Sequence, residues 1–261
     1  MILYGRNPVR EALRGRRARS VGEVWASAGA AREPWLAGVK VRTASAEEIE
    51  RRCGSDAHQG ICADAGPYHY VGADELLAGA SPLIVALDQV QDPQNLGSIC
   101  RTAECVGAAG VVIPERRAAE VTAAVCKASA GAVEHLPVAR VRNLADFLAD
   151  ARKAGCWCYG ASAGDGAEDG GSGNGGSARG RGGGRGAGGE DTSVAYDVPD
   201  YRGAGVVLVL GSEGSGLRPR VASACDQLIA LPLLGKIESL GVSAAAAAIL
   251  YEILQSRSRA A

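Results

Sequence analysis

The sequence predicts an α/β fold, a parallel sheet with helices on both faces, preceded by a small α/β domain. Three observations support this fold class. From residue 82 onward, short apolar segments alternate with helical ones, which is typical of consecutive strand–helix–strand units. The apolar run VVLVL ends directly at a glycine-rich turn, GSEGSG, as buried parallel strands often do. A second apolar strand, beginning at Ile229, leads through GKIES into an alanine-rich helix.

The composition allows one large domain and one small one. The chain has 261 residues, of which 47% are hydrophobic, enough to fill a core. Its 28 basic and 29 acidic side chains nearly cancel, so the overall charge gives no preference for a polyanion. The first twenty residues, however, carry six arginines against one glutamate. Any affinity for phosphate must therefore be local.

The cysteine pattern argues against a metal site. Eight cysteines show no CxxC spacing and no nearby histidines, so no zinc ligand set is expected. Cys156 and Cys158 lie in an apolar run, where burial in a strand is favoured over a redox pair. No apolar run approaches the roughly 18 residues of a membrane span, and the N-terminus lacks a signal segment. We expect a protein of the reducing cytoplasm.

Residues 1–65 form the predicted small domain. Asn7-Pro8, followed by apolar residues at helical spacing, predicts a helix that Asn7 caps and Gly15 ends. The segments VGEVWAS, KVRTAS and HQGICADA are typical of strands, and AEEIERRC is typical of a helix. The turn-rich residues 66–81 then suit a hinge or linker.

Four side chains of the small domain are candidates for contacting a nucleic acid. Arg10 and Arg14 recur at helical spacing and Arg6 lies just ahead of them, which suits a phosphate-binding surface. A solvated helix face would show the same pattern, so that alternative stays open. His58 precedes a strand, where a turn is its alternative role.

Residues 82–261 form the predicted large domain. A strand at 82–87 is followed by a polar loop and a helix that has Ile99, Ala103 and Val106 on one face. Later strands are predicted in GVVIP, VEHLPVARV, CWCYGAS, VVLVLGS and DQLIALPL, and helices in AAEVTAAVCKASAGA, NLADFLADARKAG, RPRVASAC and residues 242–255. The Gly/Arg-rich insertion at about 164–190 is too poor in apolar residues to order itself. An inert surface loop is favoured there, with an RNA-contacting arm as the alternative.

Two loops of the large domain predict a ligand pocket. The turn GSEGSG lets backbone N–H groups approach a ligand closely, and GKIESL stands beside a helix N-terminus. Both follow strands, so they meet at the carboxyl edge of a parallel sheet. The glycine order does not match GxGxxG and no acidic ribose partner follows at the expected distance, which disfavours a nicotinamide-dependent enzyme.

Three stretches in order resemble the SpoU/TrmH family of S-adenosylmethionine-dependent RNA ribose 2'-O-methyltransferases, within the SPOUT superfamily. They are NLGSICRTAECVGAAGVVIP, VLGSEGSGL and LPLLGKIESLGVSAAAAAILYE. The opening YGRNPVREAL and the HQGI stretch resemble the small substrate-binding domain of members that modify ribosomal RNA. The resemblance implies a deep C-terminal trefoil knot, a homodimer, S-adenosylmethionine as methyl donor, and an RNA substrate, with a guanosine of 23S rRNA as the expected target.

The resemblance also implies the catalytic residues, which are Asn95, Arg101, Glu213 and Ser239. A ribose 2'-hydroxyl is a poor nucleophile, so its proton or its developing charge must be accommodated. Arg101 could act as an unusual base or stabilise the alkoxide electrostatically, and the sequence leaves that choice open. The alternatives are a surface arginine at 101, helix caps at 95 and 239, and a helix-terminus charge at 213.

The methyl donor is expected to lie against backbone at Gly211, Leu231 and Leu240, in loops shaped by Gly214, Gly216 and Gly235. The chain departs from the family at one place, where Gly241 in SLGVS replaces the asparagine of SLNVS. Without the asparagine amide, a hydrogen-bonding group near the donor or the substrate is lost, so the resemblance does not by itself imply full activity or the usual substrate. The competing hypotheses are a tRNA or resistance-type rRNA 2'-O-methyltransferase, and a non-catalytic RNA-binding ribosome-assembly factor that only Gly241 supports.

Overall fold

The computed structural model describes residues 1–162, 193–237 and 239–259, and within them two β-sheets. One sheet has four strands and the other has seven. The predicted Gly/Arg-rich insertion lies outside the described residues.

The small sheet is built by the N-terminal residues. The elements there are β1 Ile2–Tyr4, α1 Arg6–Ala12, β2 Val24–Ala26, β3 Val41–Thr43, α2 Ala46–Cys53 and β4 Ile61–Asp64. β4 pairs antiparallel with β1 and β2, while β2 pairs parallel with β3, giving the order β1-β4-β2-β3. Because strand side chains alternate between faces, one face meets α1 and the other meets α2.

The two helices of this sheet begin differently. Ser45 caps α2, its Oγ accepting the N–H of Glu48 at 3.2 Å, and the prediction of this helix is confirmed. The predicted Asn7 cap of α1 is wrong. That helix starts at Arg6 after Gly5, whose φ of 93° favours glycine, and it ends at Ala12 rather than Gly15.

The strands of the large sheet are β5 Leu83–Asp88, β6 Gly110–Pro114, β7 Val138–Val141, β8 Cys156–Ser162, β9 Val194–Ala195, β10 Gly205–Gly211 and β11 Gln227–Ala230. All paired strands run parallel, as predicted, in the order β7-β6-β5-β10-β8-β11-β9. β5 and β6 are buried along their whole length, as expected where helices cover both faces.

The helices cover this sheet from opposite sides. Ile99 and Ile249 share a core with Val85, whereas Leu148 packs with Ile84 on the other face. The fifth helix is shorter than predicted at both ends. It begins only after Thr122, whose backbone is extended, and the positive φ values of Ala130 and Gly131, 52° and 90°, keep it from continuing. The bounds are α3 Ala73–Leu77, α4 Pro93–Cys105, α5 Ala123–Ala128, α6 Leu144–Lys153, α7 Pro219–Ala222 and α8 Val242–Ser258.

The segment predicted as a hinge, residues 66–81, is attached to the large sheet and contains α3. Val71 forms a parallel bridge with Ala139 of β7. The Tyr68 hydroxyl donates to the Val133 carbonyl at 3.1 Å, and the Tyr70 hydroxyl accepts the N–H of Val121 at 2.9 Å. These bonds hold the segment against the large domain.

A buried ion pair between Arg17 and Glu134 joins the N-terminal domain to the large domain. Arg17 donates from Nε to Glu134 at 2.9 Å and from Nη2 at 2.5 Å. The two side chains are 3% and 0% exposed. Around the pair the core is continuous, since Leu3 and Val9 belong to the same cluster as Val125 and Val133. The N-terminal domain is therefore fixed to its neighbour.

The cysteines are free thiols, and five of the eight are buried. Burial raises the pKa of the Cys100 and Cys126 thiols to about 12, and it also raises the pKa of Cys156 and Cys158. Thiols of this kind are poor nucleophiles at neutral pH. The structure therefore favours the prediction that Cys156 and Cys158 are buried in a strand over the alternative of a redox pair. Within the described ranges, no helix combines the length and apolar character needed to cross a membrane.

Replacing Arg17 by methionine should destabilise the protein, because the Glu134 carboxylate would stay buried without its partner. We expect the free energy of unfolding to fall by about 3–5 kcal/mol. The double variant Arg17→Met/Glu134→Leu removes both charges and should recover most of that loss. Urea denaturation followed by circular dichroism measures both changes. A single variant as stable as the wild type would show that the pair does not hold the two domains together.

Candidate active site

A cavity of about 610 Å³ opens at the carboxyl ends of β8 and β10. Three parts of the chain line it: the end of β8, the loop at 210–216, and residues 231, 233 and 239–242 with the first turns of α8. Since β5, β10, β8 and β11 are parallel neighbours, their ends reach the same edge of the sheet. Both loops that the sequence marks as ligand-binding therefore border one cavity.

The first loop is closed on itself. Ser212 and Gly216 exchange two backbone hydrogen bonds, of 3.2 and 3.0 Å. Gly214 and Gly216 have φ values of 83° and 63°, which favour glycine. A Cβ at Gly211 would lie 2.2 Å from the carbonyl carbon of Gly216, so a side chain cannot fit there without moving the loop. The closed turn thus depends on glycine at 211.

Glu213, within this loop, connects two helix N-termini. Its Oε1 accepts the side-chain Nδ2–H of Asn95 in α4 at 3.1 Å and the backbone N–H of Val242 in α8 at 3.4 Å. Val242 is the first residue of α8, where backbone N–H groups lack partners within the helix. A carboxylate is also favoured there by the positive end of the helix dipole.

Asn95 is not the cap of α4, so that alternative is wrong. Asp92 caps the helix, accepting the N–H of Gln94 at 3.0 Å and of Asn95 at 3.3 Å. The Asn95 amide is therefore available to donate to Glu213. The sequence offered a signal for this cap that we missed, because Asp92 directly precedes Pro93, and proline is favoured in a helix's first turn.

Gly241 occupies the N-cap position of α8 and offers no side chain to cap it. A Cβ at this position would lie 3.4 Å from Oε1 of Glu213, which is ordinary contact. An asparagine here would therefore stand beside the carboxylate. In this chain Glu213 itself contacts the first N–H of the helix instead.

The other predicted pocket residues divide into two groups. Gly211, Gly214, Gly216, Leu231, Ser239 and Leu240 all line the cavity. Gly235 is not among the described residues that line it. Leu231 and Leu240 supply apolar walls together with Ile249 of α8.

Arg101 lies apart from this group. It is exposed on α4, and within the described residues it neither lines the cavity nor bonds to Glu213. Arg101 lies six positions after Asn95, an offset of about 9 Å along the helix and roughly 120° around it. The two side chains therefore leave α4 on different faces, and one chain alone does not assemble Arg101 with Glu213.

Sequence analysis missed a second acidic residue near the site. Asp88 ends β5, is fully buried, and accepts Nε–H of Arg218 at 2.8 Å and the backbone N–H of Arg218 at 2.9 Å. The pair fastens the chain just after the loop at 210–216 to the neighbouring strand. An aspartate that ends an otherwise apolar strand was the available signal.

The four predicted RNA contacts lie in the small domain. Arg6 pairs with Glu33 at 2.8 Å and Arg10 with Glu11 at 2.6 Å, while Arg14 is exposed. His58 is buried, and its Nδ1 accepts the N–H of Gly60 at 2.9 Å. Its ring thus supports the turn before β4, and its contact with RNA stays a prediction.

Family models cover most of the chain. Residues 82–251 match the SpoU rRNA Methylase family, and residues 2–71 match the domain described as RNA 2'-O ribose methyltransferase substrate binding. A Bacillus subtilis protein assigned to the TrmH family of tRNA/rRNA methyltransferases is 40% identical over 77% of this chain and 71% of its own length. An uncharacterized tRNA/rRNA methyltransferase of Synechocystis is 36% identical over 98% of this chain, which spans 62% of that relative's length.

Solved structures of similar proteins share the fold. The AdoMet-bound rRNA methyltransferase from Sinorhizobium meliloti aligns with a TM-score of 0.74 at 24% identity, over 97% of this chain and 86% of that one. A TrmH family protein from Porphyromonas gingivalis aligns with a TM-score of 0.67 at 25% identity, over 99% and 89%.

The variant Gly211→Ala tests the closed loop. Its methyl group would collide with the Gly216 backbone, so we expect a loss of about 1–3 kcal/mol in stability and at least about tenfold weaker binding of S-adenosylmethionine by calorimetry. Gly235→Ala is the matched control, since the nearest atom to its Cβ would be 4.0 Å away. Equal losses in both variants would contradict the steric argument.

Proposed function

The chain belongs to the SpoU rRNA Methylase family, and we propose that it methylates a ribose 2'-hydroxyl in ribosomal RNA, with a guanosine of 23S rRNA as target. It is an RNA 2'-O-ribose methyltransferase that uses S-adenosylmethionine. The observation that carries the choice of ribosomal RNA is the match of residues 82–251 to a family described as rRNA methylases, in a chain that also matches a substrate-binding domain at residues 2–71. A cytoplasmic location is part of the proposal.

The cavity suits the methyl donor. Its volume of about 610 Å³ lies within the range typical of small-molecule sites, roughly 300–1,000 Å³. Adenine is a neutral heterocycle, and backbone groups between apolar walls can recognise it without charged side chains. Gly211, Leu231 and Leu240 would hold the donor, in loops shaped by Gly214 and Gly216. When bound, it supplies a methyl group on a positively charged sulfur.

The side chains at the cavity would prepare the ribose hydroxyl. Glu213 accepts one amide hydrogen of Asn95, which fixes the orientation of that amide and leaves its carbonyl oxygen as an acceptor. Ser239 adds a hydroxyl at the same cavity. Arg101 would stabilise the alkoxide as it forms, because a guanidinium stays charged at neutral pH.

The position of Arg101 leads us to include a homodimer in the proposal. Arg101 is exposed and lies outside the cavity of its own chain, so we assign it to the cavity of a partner subunit. An apolar surface near the cavity would form the interface: Leu234 and Ile237 are 94% and 75% exposed, and Leu240 and Tyr251 are also exposed. The deep trefoil knot implied by the family is proposed as well, in the region from β10 to α8.

Methyl transfer to purified RNAs tests the function. We expect radiolabel from S-adenosylmethionine to enter 23S rRNA and not 16S rRNA or tRNA, and mapping should place it on one guanosine ribose. Label in tRNA alone would favour the tRNA alternative that the relatives' names include. A wild-type protein inactive on every RNA would support the non-catalytic alternative, most clearly if Gly241→Asn restored activity.

Mixing two inactive variants tests the shared site. Arg101→Ala should lower methyl transfer by about 100-fold or more. S-adenosylmethionine binding should stay intact, because the donor is expected to lie against Gly211, Leu231 and Leu240, which all line the cavity of one chain. Ser239→Ala is the second variant. With random pairing about half of the dimers are mixed, so roughly a quarter of all sites regain both residues. If activity stayed absent after verified subunit exchange, Arg101 would act within its own chain.

A further inference from the structure

Three exposed arginines lie where the neighbouring strands β6 and β7 end. Arg116 and Arg117 belong to the loop that follows β6, and Arg142 directly follows β7. The N–H of Glu115 donates to the Val141 carbonyl at 2.9 Å, so the two chains still run side by side where the arginines begin. Their backbones are there about 5 Å apart. We call these three residues the edge arginines, and the proposed mechanism uses none of them.

The edge arginines carry charge that the described residues leave free. Within the described ranges, none of the three forms an ion pair or a side-chain hydrogen bond. The neighbouring Arg140 differs, because it pairs with Glu120 at 3.2 Å. In the described part of these two loops, Glu115 is the one carboxylate without an ion-pair partner. Positive charge therefore remains in excess at the ends of β6 and β7.

Hydrogen bonds fix the backbone beneath the edge arginines. In the loop after β6, the N–H of Ala119 donates to the carbonyl of Val90, in the loop after β5, at 2.9 Å. Arg140 donates from Nη2 to the Glu115 carbonyl at 3.1 Å. The loop is thus held from the strands on both of its sides. A surface that is already ordered loses less freedom when it binds a partner.

Arg117 has a backbone conformation that favours glycine. Its φ is 57°, in the left-handed region where a Cβ crowds the following carbonyl oxygen. Glycine would make the same turn with less strain, so the shape of the loop does not account for an arginine here. Strained residues cluster at functional sites. The group that this position presents to solvent is the exposed guanidinium.

The edge arginines and the larger cavity lie on the same edge of the sheet. The cavity opens at the ends of β8 and β10, and the sheet order continues from β10 through β5 to β6 and β7. At about 4.8 Å per strand, the ends of β6 and β7 lie roughly 10 and 14 Å from the end of β10. The other end of the sheet has the opposite charge. Asp197, just after β9, is exposed and has no ion pair in the part of the chain described.

We propose that the edge arginines bind phosphates of the RNA segment that adjoins the target nucleotide. An RNA whose ribose enters the cavity carries phosphates away from it, and the free positive charge lies towards β6 and β7 rather than towards β9. Contacts to phosphates position an RNA without reading its bases. This surface rests on the proposed function, since it takes RNA as the substrate. It adds a contact region within the methylase domain to the one predicted in the small domain.

The salt dependence of binding to a 23S rRNA transcript tests the proposal on the full-length protein. Arg117→Gly removes a charge and relieves the strained backbone, so its melting temperature should be no lower than that of the wild type. Its slope of log affinity against log salt should nevertheless fall by about 0.7–0.9, the value of one phosphate contact. Arg117→Lys keeps the charge and the strain, and should retain most of the slope.

A double variant tests the surface independently of the strained residue. Arg116→Ala/Arg142→Ala should lower the slope by about 1.4–1.8, twice the value of one contact. Arg51→Ala is the matched control, as an exposed arginine on α2, and should leave the slope unchanged. Binding of S-adenosylmethionine should be unchanged in all of these variants, because none of the substituted positions lines the cavity.

The outcomes separate this surface from the proposed function. If the wild type bound the transcript and the variants at 116, 117 and 142 kept its slope, the surface would be overturned and the proposed function would stand. An equal loss in Arg51→Ala would also overturn it, because the effect would then follow overall charge rather than position. If the wild type bound no RNA, the proposed function and the surface would fail together.

Discussion

The carboxylate of Glu213 is the interaction on which the arrangement of the site depends. It follows a buried strand, and its Oε1 reaches the first turns of both α4 and α8. Because the side chain is exposed, these hydrogen bonds contribute modestly to stability. Their effect is mainly on orientation: they set the Asn95 amide and the start of α8 relative to the closed loop. A change in the Asn95 amide, the start of α8 or the closed loop would therefore shift the other two.

Because residue 241 is glycine, the Glu213 carboxylate is the side chain that contacts the start of α8. An N-cap residue usually supplies an oxygen to the first N–H groups of its helix, and glycine has none to supply. Here Glu213, from a different element of the fold, accepts the N–H of the first helical residue, Val242. This bond links the start of α8 to the loop at 210–216. This coupling gives a physical reason why the substitution at 241 need not abolish the site.

Sequence patterns predicted the parts of the fold that follow from local burial, and missed those that follow from distant pairing. The apolar runs that became β5, β6 and β10 predicted a parallel sheet because both faces of each strand are covered. β1 has three residues and is a strand only through its pairing with β4, about sixty positions away. Arg17 and Glu134 are separated by 117 positions, and no local pattern connects them. Motifs predicted that Glu213 and Asn95 serve one site, whereas their direct hydrogen bond required the folded chain.

The rigid junction between the domains constrains how an RNA can be selected. The Arg17–Glu134 pair is buried within a continuous core, and residues 66–81 are bonded to the large sheet instead of acting as a free tether. The small domain is therefore held at a fixed position relative to the cavity. Correct positioning of reacting groups contributes strongly to rate, and a fixed spacing provides it before the RNA arrives. We infer that the chain distinguishes RNAs by whether their folded shape spans this spacing, rather than by a domain that moves to fit each one.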